Sequence, residues 1–219
     1  KILSIQEGES IYDPACGTGG MLLESANSLK NSQQDYRTLQ LYGQEKNLTS
    51  ASIARINMFL HEIEDFDIAR GDTLNDPAFF TNDRLKTFDC VIANPPFSLE
   101  NWGFENWAND PYGRNIGGVP PKKYGDMAWV QHMLQSMNST GRMAVILPEG
   151  VLFRGGSEAK IRRHIVEQDL IDTIIDLPGN VFYGTGLSPN VIILTKNKPS
   201  HKKGNIMFIE ASDQMSVKR

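Results

Sequence analysis

The residues of this sequence best suited to chemistry are four in a row, Asn94-Pro95-Pro96-Phe97. Each proline lacks an N–H group and fixes its own φ, so the segment must leave a preceding strand as a stiff, extended piece of chain. Such a piece presents an amide side chain, backbone carbonyl oxygens and one aromatic face with little conformational freedom to lose. The segment therefore offers hydrogen-bond acceptors and a stacking surface, although a plain proline turn at a strand end is the alternative.

A second candidate site is the glycine-rich stretch Asp13-Pro14-Ala15-Cys16-Gly17-Thr18-Gly19-Gly20, between a predicted strand at 10–13 and a predicted helix over 21–26. A strand, a glycine turn and a helix bring the backbone close to a ligand above the helix N-terminus. Glycines permit this approach because they carry no Cβ. The spacing is neither the dinucleotide fingerprint nor a phosphate loop. This disfavours a nicotinamide-dependent oxidoreductase, and a purely structural turn stays open.

Two further predicted strands each end on an acid. Glu45 closes the strand 39–45, and a carboxylate at this place in such folds binds ribose hydroxyls. Asp72 closes the strand 66–72 and could accept a hydrogen bond from an exocyclic amine, with Leu74 against a purine face. The alternatives are a solvated loop acid for Glu45 and, for Asp72, a cap on a helix beginning near Asp76-Pro77.

The elements that must position these groups alternate along the chain. The apolar run 88–93 predicts a buried strand that ends at Asn94. The pattern predicts an α/β fold with a doubly wound, mostly parallel seven-stranded sheet. The loop from Pro178 to Pro189 contains no predicted helix, which favours an antiparallel last strand. The remaining predicted strands are 142–148, 170–176 and 190–195, with 205–211 as an optional edge strand, and the remaining helices are 48–61, 125–134 and 158–167.

An irregular insertion, residues 98–124, follows the tetrapeptide and is rich in Asn, Gly, Pro and Trp. A stretch this long without periodicity is usually functional or mobile. Its aromatic residues could stack on bases, or they could pack back on the body of the domain. Downstream, His132 is expected to be a packed or exposed helix residue rather than a base. The residues with stacking surfaces are Trp102, Phe104, Trp107, Tyr112 and Arg114, and Arg154, Lys160, Arg162 and Arg163 are expected to form a solvated helix face.

Length and composition limit the classes of protein. The 219 residues suit one large domain, with an apolar content of 40% and a charged content of 22%. A net charge of −4 is unlike a protein that grips nucleic acid alone, so another chain or domain is expected to supply much of that grip. Two cysteines and four histidines suggest neither a disulfide framework nor a metal site. Without a signal peptide or a membrane-length apolar run, the expected compartment is the cytoplasm.

With these residues placed, the sequence resembles the N6-adenine DNA methyltransferases, and more closely the methyltransferase (modification) subunit of type I restriction–modification systems. The stretch 13–20 is similar to the S-adenosylmethionine loop of that family, and Asn94-Pro95-Pro96-Phe97 is similar to its catalytic motif. The loop precedes the catalytic tetrapeptide, which is the order in the group of methyltransferases that contains these subunits. The resemblance implies the sheet of class I S-adenosylmethionine-dependent methyltransferases, and it extends over Gly43-Gln44-Glu45, Gly71-Asp72 and 147–153.

The resemblance also implies roles for individual residues. The side-chain oxygen of Asn94 and the backbone oxygen of Pro95 would accept hydrogen bonds from the two N–H groups of a target adenine's exocyclic amine. Phe97 would stack on the flipped base. Glu45 would hold the cofactor ribose and Asp72 its adenine amine, with Asp13 close to the sulfonium or amino group. The catalytic set is Asn94, Pro95, Pro96 and Phe97, and the cofactor set is Asp13, Pro14, Ala15, Cys16, Gly17, Thr18, Gly19, Gly20, Glu45, Lys46, Asp72, Thr73, Leu74 and Asn94.

The implied partners are double-stranded DNA, a specificity subunit, a second methyltransferase subunit and a restriction subunit. The sequence also departs from the family pattern. An aromatic/Thr-Pro segment and a helical domain would precede Lys1, and a helical tail would follow Arg219, so the sequence resembles a fragment of a longer protein.

Two other methyl-transfer reactions and one non-enzymatic function stay open. Methylation of cytosine N4 or of a protein glutamine amide uses a similar tetrapeptide, although Phe97 and the insertion favour adenine in DNA. Cytosine C5 chemistry needs a thiolate nucleophile, and no cysteine is placed for one. A scaffold that binds S-adenosylmethionine without turnover is the non-enzymatic alternative.

Overall fold

The computed structural model describes residues 2–179, 181 and 188–211. Helices and strands alternate along most of the chain, as the sequence predicts. The strands in the described residues are β1 (Ser10–Asp13), β2 (Gln40–Glu45), β3 (Phe66–Arg70), β4 (Phe80–Thr81), β5 (Arg84–Leu85), β6 (Phe88–Ala93), β7 (Met137–Pro148), β8 (Ile171–Asp176), β9 (Pro189–Thr195) and β10 (Met207–Glu210). The α-helices there are α1 (Gly20–Asn31), α2 (Leu48–Leu60), α3 (Phe104–Trp107), α4 (Asp126–Gln135) and α5 (Gly156–Glu167).

One large sheet organises the molecule, in the order β10-β8-β9-β7-β6-β1-β2-β3. Strand β9 runs antiparallel to both of its neighbours, and the other pairings in this sheet are parallel. The prediction of a mostly parallel sheet with an antiparallel last strand is therefore confirmed. The optional segment 205–211 adds an eighth strand, β10, whose Met207 pairs with Thr173 of β8.

Helices cover both faces of this sheet. On one face α1 and α2 pack on a core that includes Leu22 and Ala54, and on the other α4 and α5 pack on a core that includes Val130 and Ile161. Successive side chains of β6 point to opposite faces, so Val91 enters one core and its two neighbours enter the other. This is why the run 88–93 is apolar at nearly every position.

The register of the parallel strands brings the carboxyl ends of four strands to one edge of the sheet. Asp13 pairs with Gly43, and Glu45 pairs with Arg70. Strand β6 lies beside β1, with Tyr12 opposite Val91. The carboxyl ends of β6, β1, β2 and β3 therefore lie next to each other in that order, and ligands of doubly wound sheets bind at this edge.

The predicted helix near Asp76-Pro77 is wrong. Turns follow β3 there, and residues 80–85 form the small antiparallel hairpin β4–β5. Phe79 packs edge-on against Tyr12, and Asn82 adopts a left-handed φ of 54° at the hairpin turn. These two demands, a ring packed against the core and a tight turn, override the helix start that the Asp-Pro pair favours.

Two other expectations concern segments rather than residues. In the loop from Pro178 to Pro189, positions 180 and 182–187 lie outside the described residues. In the described part of the chain, no helix has both the length and the apolar character needed to cross a membrane.

Candidate active site

The glycine-rich loop after β1 is anchored to the neighbouring strand and to α2. The backbone N–H of Cys16 donates to the Gln44 carbonyl at 3.0 Å, and that of Gly19 donates to the Cys16 carbonyl at 2.7 Å. Gly19 has a left-handed φ of 82°, and a Cβ there would lie 2.6 Å from the Met58 Cε atom. A glycine is therefore required at position 19 by both conformation and space.

Two other glycines of the loop leave open space above the sheet edge. A Cβ added to Gly17 or to Gly20 would meet no protein atom within 4 Å. Gly20 is also the first residue of α1, which has no side-chain cap and no acidic residue in its first turn. The positive end of the helix dipole thus faces open space beside the glycine loop, where an anionic group such as a carboxylate can be accepted.

Glu45 is fixed at the end of β2 by two backbone donors. Its Oε2 accepts from Gly17 N at 2.9 Å, and its Oε1 accepts from Asn47 N at 2.7 Å. Each carboxylate oxygen has a second lone pair, which stays available to a ligand hydroxyl. The predicted ribose-binding acid therefore lies in the same cradle as the glycine loop.

Asp72 follows β3 and faces Lys46, whose Nζ lies 2.7 Å from the Asp72 Oδ2. Partial burial acts to raise the pKa of this carboxyl, but hydrogen bonds from Lys46 and Asn75 outweigh it and hold the pKa below its usual value. Asp72 is thus an ionised acceptor at neutral pH. It stands beyond Glu45 along the same edge, as the predicted cofactor set requires.

Three predicted cofactor residues instead support the cradle from below or beside it. The Thr73 hydroxyl donates to the Pro14 carbonyl at 2.6 Å, which ties the β3 turn to the loop. Leu74 is 2% exposed and belongs to a cluster with Trp102, so it can offer a purine only a small part of its side chain. Thr18 is exposed at the rim of the loop, where its carbonyl accepts from Asn57 Nδ2.

Asp13, the first residue of the glycine-rich stretch, has a carboxyl whose pKa is perturbed. It is buried, and its Oδ1 accepts from Ala15 N at 3.0 Å. Burial, together with repulsion from Glu45, raises its pKa to about 7, against which the Ala15 hydrogen bond acts only in part. A cation close to Asp13 would favour its ionised form. Cys16 beside it is also buried, and burial raises the pKa of its thiol, so it is no nucleophile.

The tetrapeptide begins where β6 ends. Asn94 and Pro96 are exposed, Phe97 is half-buried and Pro95 is buried, so the amide and the ring lie at the surface of the carboxyl edge. Ser98 follows with a left-handed φ of 50°. Asn94 is therefore adjacent, through the β6–β1 pairing, to the loop that carries Asp13.

The insertion 98–124 is packed against this edge. Trp102 and Trp107 are each 1% exposed, and with Leu74, Ala128 and Trp129 they form a third core cluster. Ala15 and Leu99 pack against this cluster, so it supports the glycine loop and the residues after Phe97 together. The prediction that these tryptophans stack on bases is wrong, because they pack back on the body of the domain.

Arg114 is buried as well. Its guanidinium donates to both the side chain of Asp110 and the Thr73 carbonyl, and it lies 4.4 Å from the centre of the Trp107 ring. Stacking of Arg114 on a base is therefore wrong too. Because an arginine only donates, its contact of 3.4 Å makes His132 Nδ1 an acceptor, and the other ring nitrogen then donates to the Tyr12 hydroxyl.

His132 is thereby confirmed as a packed residue. It is buried, and burial together with the Arg114 charge holds its pKa well below the usual value. Of the predicted solvated basic face, Lys160 and Arg163 are exposed. Arg154 instead pairs with the buried Asp126, which in turn accepts from the backbone after Phe97. The sequence pattern does not indicate this pair, since a Gly-Asp at a helix start indicates only a helix N-terminus.

This arrangement defines the class of the fold. A Listeria monocytogenes protein provisionally assigned to the class I S-adenosylmethionine-dependent methyltransferases superposes with a TM-score of 0.76 at 18% identity, over 97% of this chain and 61% of that one. At this identity the match shows the fold alone. The predicted class I methyltransferase sheet is confirmed.

The chain belongs to the N-6 DNA Methylase family, whose model matches residues 1–219. It is 41% identical to the type I restriction enzyme MjaVII methylase subunit of Methanocaldococcus jannaschii, over 96% of this chain and 37% of that protein. It also superposes on the methyltransferase subunit of a type I restriction–modification system from Streptococcus thermophilus, with a TM-score of 0.86 and 34% identity, over 98% of this chain and 44% of that one. The resemblance to type I modification subunits is confirmed, and the chain spans well under half of these relatives' lengths.

Proposed function

We propose that this chain transfers a methyl group from S-adenosylmethionine to the exocyclic N6 of a flipped-out adenine in DNA, as the modification subunit of a type I restriction–modification system. One observation carries the proposal: the glycine-lined cradle after β1 and the Asn94 tetrapeptide after β6 lie on adjacent strands of one sheet edge. A cofactor over β1 and β2 would therefore be next to a base held over β6.

The residues present fit the cofactor. The open space at Gly17 and Gly20, above the uncapped start of α1, suits its amino-acid part. Glu45 has acceptor capacity left for ribose hydroxyls, and Asp72 is an ionised acceptor for the adenine amine. When bound, S-adenosylmethionine supplies an electrophilic methyl group. Asp13 would face a positive charge of the ligand, which favours the ionised carboxylate.

The tetrapeptide would act on the nucleophile. The lone pair of an adenine amine is delocalised into the ring, so the amine reacts poorly. The Asn94 side-chain oxygen and the Pro95 backbone oxygen would each accept a hydrogen bond from one of the two N–H groups of the amine. These two hydrogen bonds would favour a pyramidal nitrogen and direct its lone pair outward. This stabilises a geometry reached only on the way to the transition state. Stacking on Phe97, worth roughly 1–3 kcal/mol, would offset part of the cost of flipping the base.

The proposed partners follow from the family and the charge. Double-stranded DNA is the substrate, and a specificity subunit, a second methyltransferase subunit and a restriction subunit complete the assembly. A net charge of −4 supports this division, because the other chains would supply much of the contact with phosphates. Such an assembly would act in the cytoplasm.

The test uses the full-length subunit purified with its specificity subunit, S-adenosylmethionine and genomic DNA from a host without adenine methylation. We expect mass spectrometry of the nucleosides to show N6-methyladenine. The Asn94→Ala variant should give none, while calorimetry shows that it still binds S-adenosylmethionine. N4-methylcytosine as the product, or full turnover by Asn94→Ala, would contradict the proposal. Cofactor binding by the wild-type complex without any turnover would favour the scaffold alternative.

A further inference from the structure

A buried carboxylate lies directly behind the tetrapeptide. Asp126, the first residue of α4, is 0% exposed, and its Oδ1 accepts from the backbone N–H of Ser98 at 2.7 Å. Ser98 is the residue after Phe97, and the next residue along, Leu99, accepts from Gly125 N at 3.0 Å. The chain leaving the tetrapeptide is therefore clamped to the start of α4 by two adjacent hydrogen bonds, one of them to a charged acceptor.

The second oxygen of Asp126 is held in place by Arg154. Arg154 Nη1 lies 2.8 Å from Asp126 Oδ2 and 3.3 Å from Glu158 Oε1. The guanidinium also lies 4.5 Å from the centre of the Tyr124 ring, and a Cβ at Gly150 would come within 2.6 Å of it. The segment after β7 is thus shaped to admit this guanidinium. A salt bridge on one side and a backbone N–H on the other leave the Asp126 carboxylate a single orientation.

We infer that Asp126, oriented by Arg154, is a positioning residue that sets the direction in which Asn94 and Phe97 face the target base. This inference rests on the proposed function, because the role of Asp126 is to orient a tetrapeptide that is itself proposed to hold the target base. The need for such a residue is physical. Ser98 has a φ of 50°, which a residue with a side chain adopts only at a cost, so the turn needs an external contact to hold it.

In the described residues, no hydrogen bond joins the loops of the cofactor cradle to the Asp126 carboxylate. These loops are fixed by Gln44, Glu45 and Thr73. Loss of the clamp should therefore lower the rate of methyl transfer and leave cofactor binding intact. A residue that merely stabilised the fold would instead affect both.

The test compares Asp126→Asn with Asp89→Asn in the full-length subunit purified with its specificity subunit. Asp89 serves as the control because it lies on β6, the strand that leads to the tetrapeptide, but at the end away from the site. Like Asp126, it accepts from a backbone N–H, that of Ser10 at 2.9 Å. Methyl transfer is measured on an unmethylated oligonucleotide that carries the site mapped on genomic DNA, and base flipping on a second oligonucleotide in which 2-aminopurine replaces the target adenine.

In Asp126→Asn the amide oxygen can still accept from Ser98 N, but the ion pair with Arg154 that orients the side chain is lost. We expect the kcat of this variant to fall about 10- to 100-fold, since a displacement near 1 Å can cost that much. Its KM for S-adenosylmethionine should stay within about twofold, and the 2-aminopurine signal should be reduced, whereas Asp89→Asn should match the wild type. If Asp126→Asn does not fold, Arg154→Lys decides by the same criterion, a kcat loss with cofactor binding kept. Wild-type kcat in the decisive variant, or equal losses in kcat and cofactor affinity, would overturn the inference alone. A wild-type complex that methylates no adenine would overturn the proposed function as well.

Discussion

The carboxyl edge of the sheet has two halves that are stabilised by different means. In the half proposed to hold the cofactor, over β1, β2 and β3 (the cofactor half), backbone turns and single hydrogen bonds fix the loops, and the ion pair Lys46–Asp72 has an exposed lysine and a partly exposed carboxylate. In the half proposed to hold the target base, which comprises the tetrapeptide after β6, the insertion 98–124 and the start of α4 (the target half), the ion pair Asp110–Arg114 and the carboxylate of Asp126 are buried. Although Asp13 is buried too, the cofactor half therefore rests mainly on backbone geometry and the target half on buried ion pairs.

This difference predicts how each half responds to substitution. Removing one partner of a buried ion pair leaves an uncompensated charge in the interior, whereas an exposed pair contributes little. A changed backbone requirement, such as a side chain where φ is positive, acts on the loop itself. We therefore expect charge changes to damage the target half and added side chains to damage the cofactor half.

The largest effect should come from Arg114→Met. The substitution leaves the Asp110 carboxylate, whose side chain is 2% exposed, without its partner, and the Thr73 carbonyl without a donor. We expect the free energy of unfolding in urea to fall by about 3–5 kcal/mol, the usual consequence of breaking a buried pair. Both halves should loosen, because Arg114 is the side chain that joins the insertion to the turn after β3.

The matched control is Lys122→Met, which removes the same charge from the same insertion. Lys122 pairs with Glu105, but the two side chains are 69% and 64% exposed. We expect no measurable change in the unfolding curve. A loss below about 1 kcal/mol for Arg114→Met, or equal losses for both variants, would show that buried charge does not hold the target half.

The next effect belongs to the cofactor half and separates two neighbouring glycines. Gly19→Ala introduces a side chain at a φ of 82° and a Cβ 2.6 Å from Met58 Cε, so we expect a loss of about 1–3 kcal/mol in unfolding free energy. Gly20→Ala adds a methyl group that meets no protein atom within 4 Å, and its stability should stay within about 0.5 kcal/mol of the wild type.

Cofactor binding gives the second measurement on the same pair. If S-adenosylmethionine occupies the open space at Gly20, the added methyl group should weaken its binding about tenfold or more in calorimetry, although the protein remains stable. Unchanged affinity for Gly20→Ala would place the ligand elsewhere. A stability loss for Gly20→Ala as large as that for Gly19→Ala would contradict the open space in the structure.

The two halves also differ in how far the sequence could predict them. Asp13, Glu45 and Asn94 each stand at or just after the end of a segment whose residues predict a strand, so a local pattern was enough to place them there. Parallel pairing then brings such ends to one edge without further information. Gly19 was predicted as part of a glycine turn, but the contact with Met58 that requires it comes from a helix far along the chain.

The target half could not be predicted in the same way, because its contacts join residues far apart in the sequence. Asp126 meets Ser98 and Arg154, each 28 residues away, and no period in the sequence records such pairs. Trp102 has a side chain that suits base stacking and core packing equally well, and only the packing against Leu74 decides between them. Residue type therefore indicated the region but not the role.

The smallest effect we predict is the pH dependence of cofactor binding, which tests the electrostatics of the cofactor half. The pKa of Asp13 is raised to about 7, so below that pH the carboxyl of the free protein carries a proton. A cationic ligand binds the ionised form better, so below pH 7 the proton must leave when the ligand binds. Affinity for S-adenosylmethionine should therefore rise by at most about tenfold from pH 6 to pH 8 and level off above that.

Asp13→Asn supplies the control, since it keeps the acceptor for Ala15 N and removes the titrating group. Its affinity should be lower than that of the wild type at pH 8, and the step centred on pH 7 should be absent from its profile. A wild-type profile without this step would mean that the positive charge of the ligand does not lie near Asp13. In that case Asp13 would act on the loop only through its hydrogen bond to Ala15, and backbone geometry alone would account for the cofactor half.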